Sequence, residues 1–201
     1  MAIEERRERE RAQRHRLIVR TARDIAESEG WDAVTVRRLA REIEYSQPVL
    51  YGHFPGKEAI VRAVAIEAFD ELGELTRAAR AGAADPRAAL RALAEAYLAF
   101  AAAHPALYEA MFVRPLGIPF GTAETPAPLR SAFAEIVEVV TPFAGGTDTE
   151  TATEVLWSGL HGLATLGTAR RLRPDQAADR LDRFLTGFTG PPTGSPAGPP
   201  A

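Results

Sequence analysis

Residues 35–57 read TVRRLAREIEYSQPVLYGHFPGK, and this stretch decides the fold class. Thr35 is a favourable N-cap for a short helix, whose apolar side carries Val36, Leu39, Ala40 and Ile43. Ser46 is placed as the N-cap of a second helix of about two turns, with Pro48 in its first turn, where a missing N–H costs little. Two short helices joined by a tight turn are the pattern of a helix-turn-helix.

The second short helix carries side chains suited to double-stranded DNA. Gln47 can form two hydrogen bonds with an adenine edge, and Pro48 and Val49 can contact a thymine methyl group. Short hydroxyl and imidazole donors suit phosphate oxygens. Lys57 opens the next helix, where its ammonium group and free backbone N–H groups favour an anion. The predicted DNA-binding residues are Thr35, Arg37, Ser46, Gln47, Pro48, Val49, Tyr51, His53 and Lys57.

Structural roles compete with several of these assignments. Phe54 is expected in the core rather than at DNA, and Tyr51 could also be a core aromatic residue. His53 could be an ordinary surface histidine. The arginines of the first short helix could form a solvated face; they are Arg37, Arg38 and Arg41.

The pattern resembles the TetR family of transcriptional regulators. The matching positions are Thr35-Val36, Leu39-Ala40, Ser46, Leu50-Tyr51, His53-Phe54 and Lys57. The turn departs from the family at Glu44, where glycine is usual, so a non-glycine residue must hold the turn, with a positive φ at a modest cost. The resemblance implies an all-α fold, with an N-terminal three-helix DNA-binding domain and a C-terminal helical domain for ligand binding and dimerisation. It also implies a ligand-responsive regulator, with repression favoured over activation.

A second resemblance covers the C-terminal part. The segments HPALYEAMF at 104–112 and LWSGLHGLATL at 156–166 are similar to the WHG-type C-terminal domain of a TetR subgroup. Trp157 and His161 are four residues apart and therefore share a helical face. They either pack in the core or line a mostly apolar ligand cavity. The predicted pocket residues are Tyr97, Phe100, Tyr108, Met111, Phe112, Phe133, Trp157 and His161.

Apolar stripes on the last two helices predict a homodimer interface built as a four-helix bundle. A two-fold dimer supplies two reading heads for a roughly palindromic operator. The predicted interface residues are Leu156, Leu160, Leu163, Leu181, Phe184, Leu185 and Phe188.

Helical spacing recurs along the 201 residues and alternating strand patterns are nearly absent, which predicts about nine helices. The first helix is expected from about Glu4 to Glu29, with Gly30 ending it in the left-handed conformation. A long helix is expected from Lys57 to about Ala81. The predicted organisation is a DNA-binding domain at 1–56, a ligand-binding and dimerisation domain at 57–188, and a disordered tail at 189–201 rich in Pro and Gly.

Other function classes find little support. The net charge is −3, but residues 1–57 hold 12 basic and 10 acidic side chains, so the acidic excess lies elsewhere. There is no cysteine and no H-E-x-x-H, G-x-S-x-G nucleophile context or glycine-rich phosphate loop. Glu135 and Glu138 share a face of what is expected to be a surface helix. Paired carboxylates in such a place are common and do not indicate catalysis.

The sequence thus predicts a cytoplasmic protein that is no enzyme, has no metal or cofactor, and has no membrane span. Its predicted partners are operator DNA, a small-molecule effector and a second copy of itself. The alternative is a helical small-molecule-binding or protein-adaptor module without a DNA-specific role.

Overall fold

The structure is a computed structural model that describes residues 2–146 and 148–190. These residues form nine α-helices and no strand, which confirms the all-α prediction. The helices are α1 (Ala2–Glu29), α2 (Val36–Glu42), α3 (Gln47–Tyr51), α4 (Lys57–Ala81), α5 (Pro86–Ala103), α6 (Pro105–Phe112), α7 (Ala127–Val140), α8 (Thr149–Thr168) and α9 (Ala177–Thr189). Among the described residues, no helix is both long and apolar enough to cross a membrane.

Local signals set the helix ends around α2 and α3, with two differences from expectation. The Thr35 hydroxyl accepts a hydrogen bond from the Arg38 N–H at 3.1 Å, as expected of an N-cap. Ser46 occupies the N-cap position of α3, but its hydroxyl makes no capping bond; its backbone carbonyl accepts from the Val49 N–H at 3.0 Å instead. Gly30 has the expected positive φ of 83°, but its ψ of 165° is extended rather than left-handed helical.

The chain divides into two compact units. Unit 1 comprises Met1–Leu72 and Ala103–Ser131, and unit 2 comprises Gly73–Ala102 and Ala132–Ala201. The helix-turn-helix therefore shares its unit with α6, which is distant in sequence. The predicted limits at 56 and 188 stay a prediction. Most of the predicted tail, residues 191–201, lies outside the described residues, whereas Thr189 is the last residue of α9.

Unit 1 has a core of aliphatic and aromatic residues, most of them from α1, α2, α3, α4 and α6. The inward stripe predicted on α1 is buried, with Ile18 and Ala22 fully inaccessible. Leu39 of α2 and Leu50 of α3 fix the helix-turn-helix to this core. Other buried members are Val34, Ile60, Val64 and Leu107.

Unit 2 is built from the second part of α4 together with α5, α7, α8 and α9. Its fully buried side chains include Leu90, Leu93, Tyr97, Val140, Leu156 and Leu160. Glu135 of α7 is also buried in this unit, where its carboxylate bonds to Arg77 at 2.9 Å and to Arg80 at 2.6 Å. The helix α7 has an exposed face, on which Glu138 lies, but Glu135 lies on its buried face, where two arginines of α4 compensate its charge.

Candidate DNA-binding interface

The helix α3 separates an anchored side from an outward side. Leu50 is 1% exposed and Phe54, just after the helix, is 6% exposed, as expected for core anchors. Gln47 and Pro48 are exposed and Val49 is half-buried. Tyr51 is 55% exposed, so it is not a core aromatic residue. The outward side therefore presents an amide, apolar atoms and a phenol within five residues.

The turn between α2 and α3 is closed without glycine. Glu44 adopts a φ of 57°, the positive value that its position predicts. The following N–H, that of Tyr45, donates to the Ala40 carbonyl at 2.9 Å and completes the turn. The modest strain of a non-glycine residue at positive φ is thus tolerated because both helices are packed on the core.

Lys57 opens α4 as predicted and also ties two segments of unit 1 together. Its Nζ donates to the Trp31 carbonyl oxygen at 2.6 Å. An ammonium group has three protons, so this bond leaves donors for a phosphate. Thr35, the other residue predicted near the helix ends, is exposed, as is Ser46.

The three arginines of α2 differ in their pairing. Arg38 forms a two-bond ion pair with Glu29 at 2.6 and 2.5 Å. This hydrogen bonding raises the pKa of Arg38 and lowers the pKa of Glu29. Arg37 and Arg41 are exposed. Arg37 therefore remains available to DNA, whereas Arg38 is engaged within the protein.

His53 lies at the end of the helix-turn-helix and is half-buried. This burial alone does not decide between a DNA contact and an ordinary surface histidine. Burial lowers the pKa of His53, and the positive charges of Arg11, His15 and Arg14 lower it further. A ring with a depressed pKa is mainly neutral near pH 7 and can donate one N–H to an acceptor.

The predicted pocket residues fall into two groups, one in each unit. In unit 2, Tyr97 and Phe100 are buried, and the Trp157 Nε1 donates to the Tyr97 hydroxyl at 3.1 Å. Burial lowers the pKa of His161, whose ring centroid lies 6.1 Å from that of Trp157. Phe133 is half-buried in the same unit.

The unit 1 group is an aromatic cluster on α6 and its neighbours. The rings of Tyr108 and Phe112 lie 4.8 Å apart, and Met111 is buried beside them in α6. Phe69 of α4, which sequence reasoning missed, contacts Phe112 edge-on at 5.1 Å and Phe120 at 5.9 Å. A helical spacing of apolar residues along α4 gives no sign of these specific partners.

The predicted interface residues divide by their burial in one chain. Four of them are already buried within the protomer: Leu156, Leu160, Leu181 and Leu185. These four have no surface left for a second copy. Leu163, Phe184 and Phe188 are half-buried. Leu166, which belongs to the apolar stripe expected on this helix, is 40% exposed, and Val155, which sequence reasoning missed, is 58% exposed on α8.

Comparison with known proteins decides the family. A model described as bacterial regulatory proteins, tetR family, matches residues 18–64. A model of the tetracyclin repressor-like C-terminal domain matches residues 90–188. Over 152 residues the chain is 34% identical to an uncharacterized HTH-type transcriptional regulator, Rv0681, of Mycobacterium tuberculosis, covering 74% of this chain and 67% of that protein. The chain belongs to the TetR family. It is a DNA-binding transcriptional regulator.

More distant relatives agree with this family. An uncharacterized HTH-type transcriptional regulator of Bacillus subtilis, YobS, is 29% identical over 49% of this chain and 51% of its own length. A Rhodococcus protein of unknown function has a TM-score of 0.70 at 26% identity, over 87% of this chain and 95% of that one. The FadR regulator of Bacillus subtilis, solved with stearoyl-CoA, shares the TetR fold with a TM-score of 0.65 at 13% identity, over 85% and 97% of the two chains.

Proposed function

We propose that this TetR-family regulator is a ligand-responsive repressor that binds a roughly palindromic operator as a homodimer and has no catalytic role. The observation that carries the proposal is the two-sided helix α3, which is anchored by Leu50 and presents Gln47 and Tyr51 to solvent. An exposed amide at the start of a recognition helix suits an adenine edge, and a phenol one turn later suits a phosphate.

Tyr51 offers the sharpest test of DNA contact because its side chain is exposed and its change to Phe removes one hydroxyl group. Tyr51→Phe should fold normally and bind operator and random duplex more weakly by a similar factor, since phosphate contacts carry no sequence information. The matched control is Tyr45→Phe, a 38% exposed tyrosine of the turn with no assigned DNA contact. Equal affinity of the two variants in fluorescence anisotropy would remove Tyr51 from the interface.

The effector proposed is a small, largely apolar molecule with a polar handle. The buried Tyr97 and the half-buried Trp157 bonded to it, with the half-buried His161 beside them, supply apolar surface and a few polar groups in unit 2. An aromatic hydrocarbon is one probe, and stearoyl-CoA, present in the Bacillus subtilis FadR structure, is a second whose acyl chain is apolar although its CoA part is large and charged.

His161→Ala separates a ligand contact from a packing role. The wild type should lose operator affinity when the effector is added, because a ligand shifts the equilibrium by its differential affinity for the two states. The variant should keep its ligand-free operator affinity and release DNA less. A variant that fails to fold or to bind DNA without ligand would identify His161 as a core residue.

The dimer proposal rests on an apolar stripe of α8 that one chain leaves open. Val155, Gly162 and Leu166 recur at helical spacing on one face; Val155 and Leu166 are exposed, and nothing in the protomer lies within 4 Å of a Cβ placed at Gly162. A double change of Val155 and Leu166 to Asp should convert a dimer to a monomer in light scattering. Thr186→Asp, at an exposed position of α9, is the control that should remain dimeric. A dimer that survives the double change would place the interface elsewhere.

A further inference from the structure

The first helix extends well beyond the core that its second half helps to build. Burial on α1 begins at Ile18, which is also the first residue of the chain matched by the N-terminal family model. None of residues 4–17 is fully buried, although this segment amounts to roughly four helical turns. The helix α1 therefore extends, on its N-terminal side, well beyond the residues that it buries in the core.

The helical phase decides which side of this extension faces the helix-turn-helix. At about 100° per residue, Arg7, Arg11 and Arg14 fall on the line that continues the buried stripe through Ile18 and Ile25. Residues at Arg9, Arg16 and Arg20 fall on the opposite side. The first set of arginines thus lies on the face that α1 turns toward the rest of unit 1.

Contacts on both flanks of this face confirm the orientation. The ring of His15 stacks on Phe54 with centroids 4.6 Å apart, just beyond α3. On the other flank, Tyr45 of the turn faces α1 across an open groove of about 370 Å³ that is also lined by Glu10, Gln13, Arg14 and Leu17. Residues 10–17 of α1 therefore lie alongside the beginning and the end of the α3 segment.

The charges on this face are unequally compensated. Arg6 pairs with Glu10 at 3.0 Å, and the Arg14 guanidinium lies 3.6 Å from the same carboxylate. Arg11 is exposed and makes no hydrogen bond or ion pair with any described residue. Its charge and that of Arg14 act on His53, a residue already assigned to the DNA-facing side.

We infer that Arg11, supported by Arg14, binds a DNA phosphate that flanks the half-site read by α3. This inference rests on the proposed function, because it extends that interface rather than creating a new one. An exposed guanidinium beside a DNA-facing histidine releases condensed counterions when it meets a phosphate. The contact is independent of sequence, so it adds affinity and register without changing base preference.

The test compares Arg11→Ala with Arg9→Ala. Both arginines are exposed on the same helix, and both changes remove one charge with the same small change in helix propensity. Operator affinity is measured by anisotropy over a range of salt concentrations. Arg11→Ala should lower the slope of log affinity against log salt by about 0.9 for each bound subunit, and Arg9→Ala should leave it nearly unchanged.

A second arm uses two duplexes, one ending at the operator edge and one extended by several base pairs on each side. The effect of Arg11→Ala should appear on the extended duplex and shrink on the short one, because only the extended duplex holds the flanking phosphates. Equal slopes for both variants on the extended duplex would overturn the inference. If the wild type still binds the operator specifically in that case, the proposed function is unaffected. A wild type that binds no duplex would overturn both.

Discussion

The indole N–H of Trp31 donates a 2.8 Å hydrogen bond to the backbone carbonyl of Ala106, 75 residues further along the chain. Trp31 lies in the short turn before α2, and Ala106 lies in the first turn of α6. The Glu27 carboxylate accepts from the N–H of Leu107 at 3.0 Å and of Ala106 at 3.4 Å, so an anion caps the same helix. The ammonium group of Lys57 donates a hydrogen bond to the Trp31 carbonyl oxygen. The start of α6 is thus bonded to the segment that supports the helix-turn-helix.

Trp31→Phe should cost the protein roughly 1–3 kcal/mol of unfolding free energy. The change keeps an aromatic ring in a 2% exposed site, but it removes the indole hydrogen bond and leaves a space where the larger ring packed, and the two losses together are of that order. Urea unfolding followed by circular dichroism measures the loss. A variant as stable as the wild type would show that the bond is replaced or contributes nothing.

Operator affinity should rise as the pH falls from about 6.5, the ordinary pKa of histidine, to lower values. Burial and nearby positive charge lower the pKa of His53 in the free protein, whereas a phosphate in the complex would raise it. The complex therefore binds more protons than the free protein, and proton uptake favours binding at lower pH.

The control for this pH dependence is a matched pair of histidine changes measured at constant ionic strength. His53→Gln should flatten the profile, and His15→Gln should keep part of it, because His15 stacks on Phe54 and acts on the pKa of His53 only as a neighbouring charge. Identical profiles for wild type and His53→Gln would assign the titration to another group.

Two glycines of α8 should respond in opposite ways to alanine. A Cβ at Gly159 would come within 2.3 Å of the Phe184 ring, which must then move, whereas a Cβ at Gly162 meets nothing within 4 Å in the protomer. Gly162→Ala should therefore gain up to about 1 kcal/mol in helix propensity, and Gly159→Ala should lose stability or shift Phe184. Thermal unfolding of the monomeric double variant of Val155 and Leu166 isolates this effect from the dimer interface. Equal shifts in Tm would contradict the packing of Phe184 on Gly159.

Glu135 should stabilise unit 2 at neutral pH and lose this effect in acid. Burial alone would raise the pKa of Glu135, but hydrogen bonds from Arg80 and Arg77 outweigh it and lower the pKa. The stabilisation is complete above the pKa of the unfolded chain and disappears as the pH falls through the lower folded value.

Glu135→Gln should accordingly lower the free energy of unfolding by about 1–3 kcal/mol at pH 7. The difference from wild type should disappear at a pH below the pKa of Glu135 in the folded protein. Glu138→Gln, at an exposed position of the same helix, is the control with little expected effect. Urea unfolding at several pH values makes the comparison. A constant difference at every pH would show that shape, not charge, is what Gln disturbs.

Local sequence signals predicted the helix-turn-helix closely because its determinants are local. The Thr35 cap, the apolar phase of α2 and the proline in α3 each act within one or two turns, and the structure has these helices within a residue of the expected bounds. The positive φ at Glu44 followed from the missing glycine. The Ser46 hydroxyl shows the limit of this approach, because a good capping residue can hold its position with the backbone alone.

Pairings over long sequence separations were not predictable from one sequence. The partners of Glu135 lie 55 and 58 residues away, and no periodicity gives the register between α4 and α7. Likewise, an apolar stripe does not distinguish burial within a chain from burial against a second copy. Leu156 and Leu160 were predicted at the dimer interface, yet they are fully buried in one protomer.

Base reading by Gln47 at the start of α3 can be measured by a selection experiment. Purified full-length wild type and Gln47→Ala are each used to select duplexes from a randomised pool, and the preferred bases are compared position by position. The wild type should select a roughly palindromic site, and the variant should relax the base preference at one or two positions per half-site, at about 1–3 kcal/mol per lost contact. Recovery of the same base preferences by the variant would contradict base reading by Gln47.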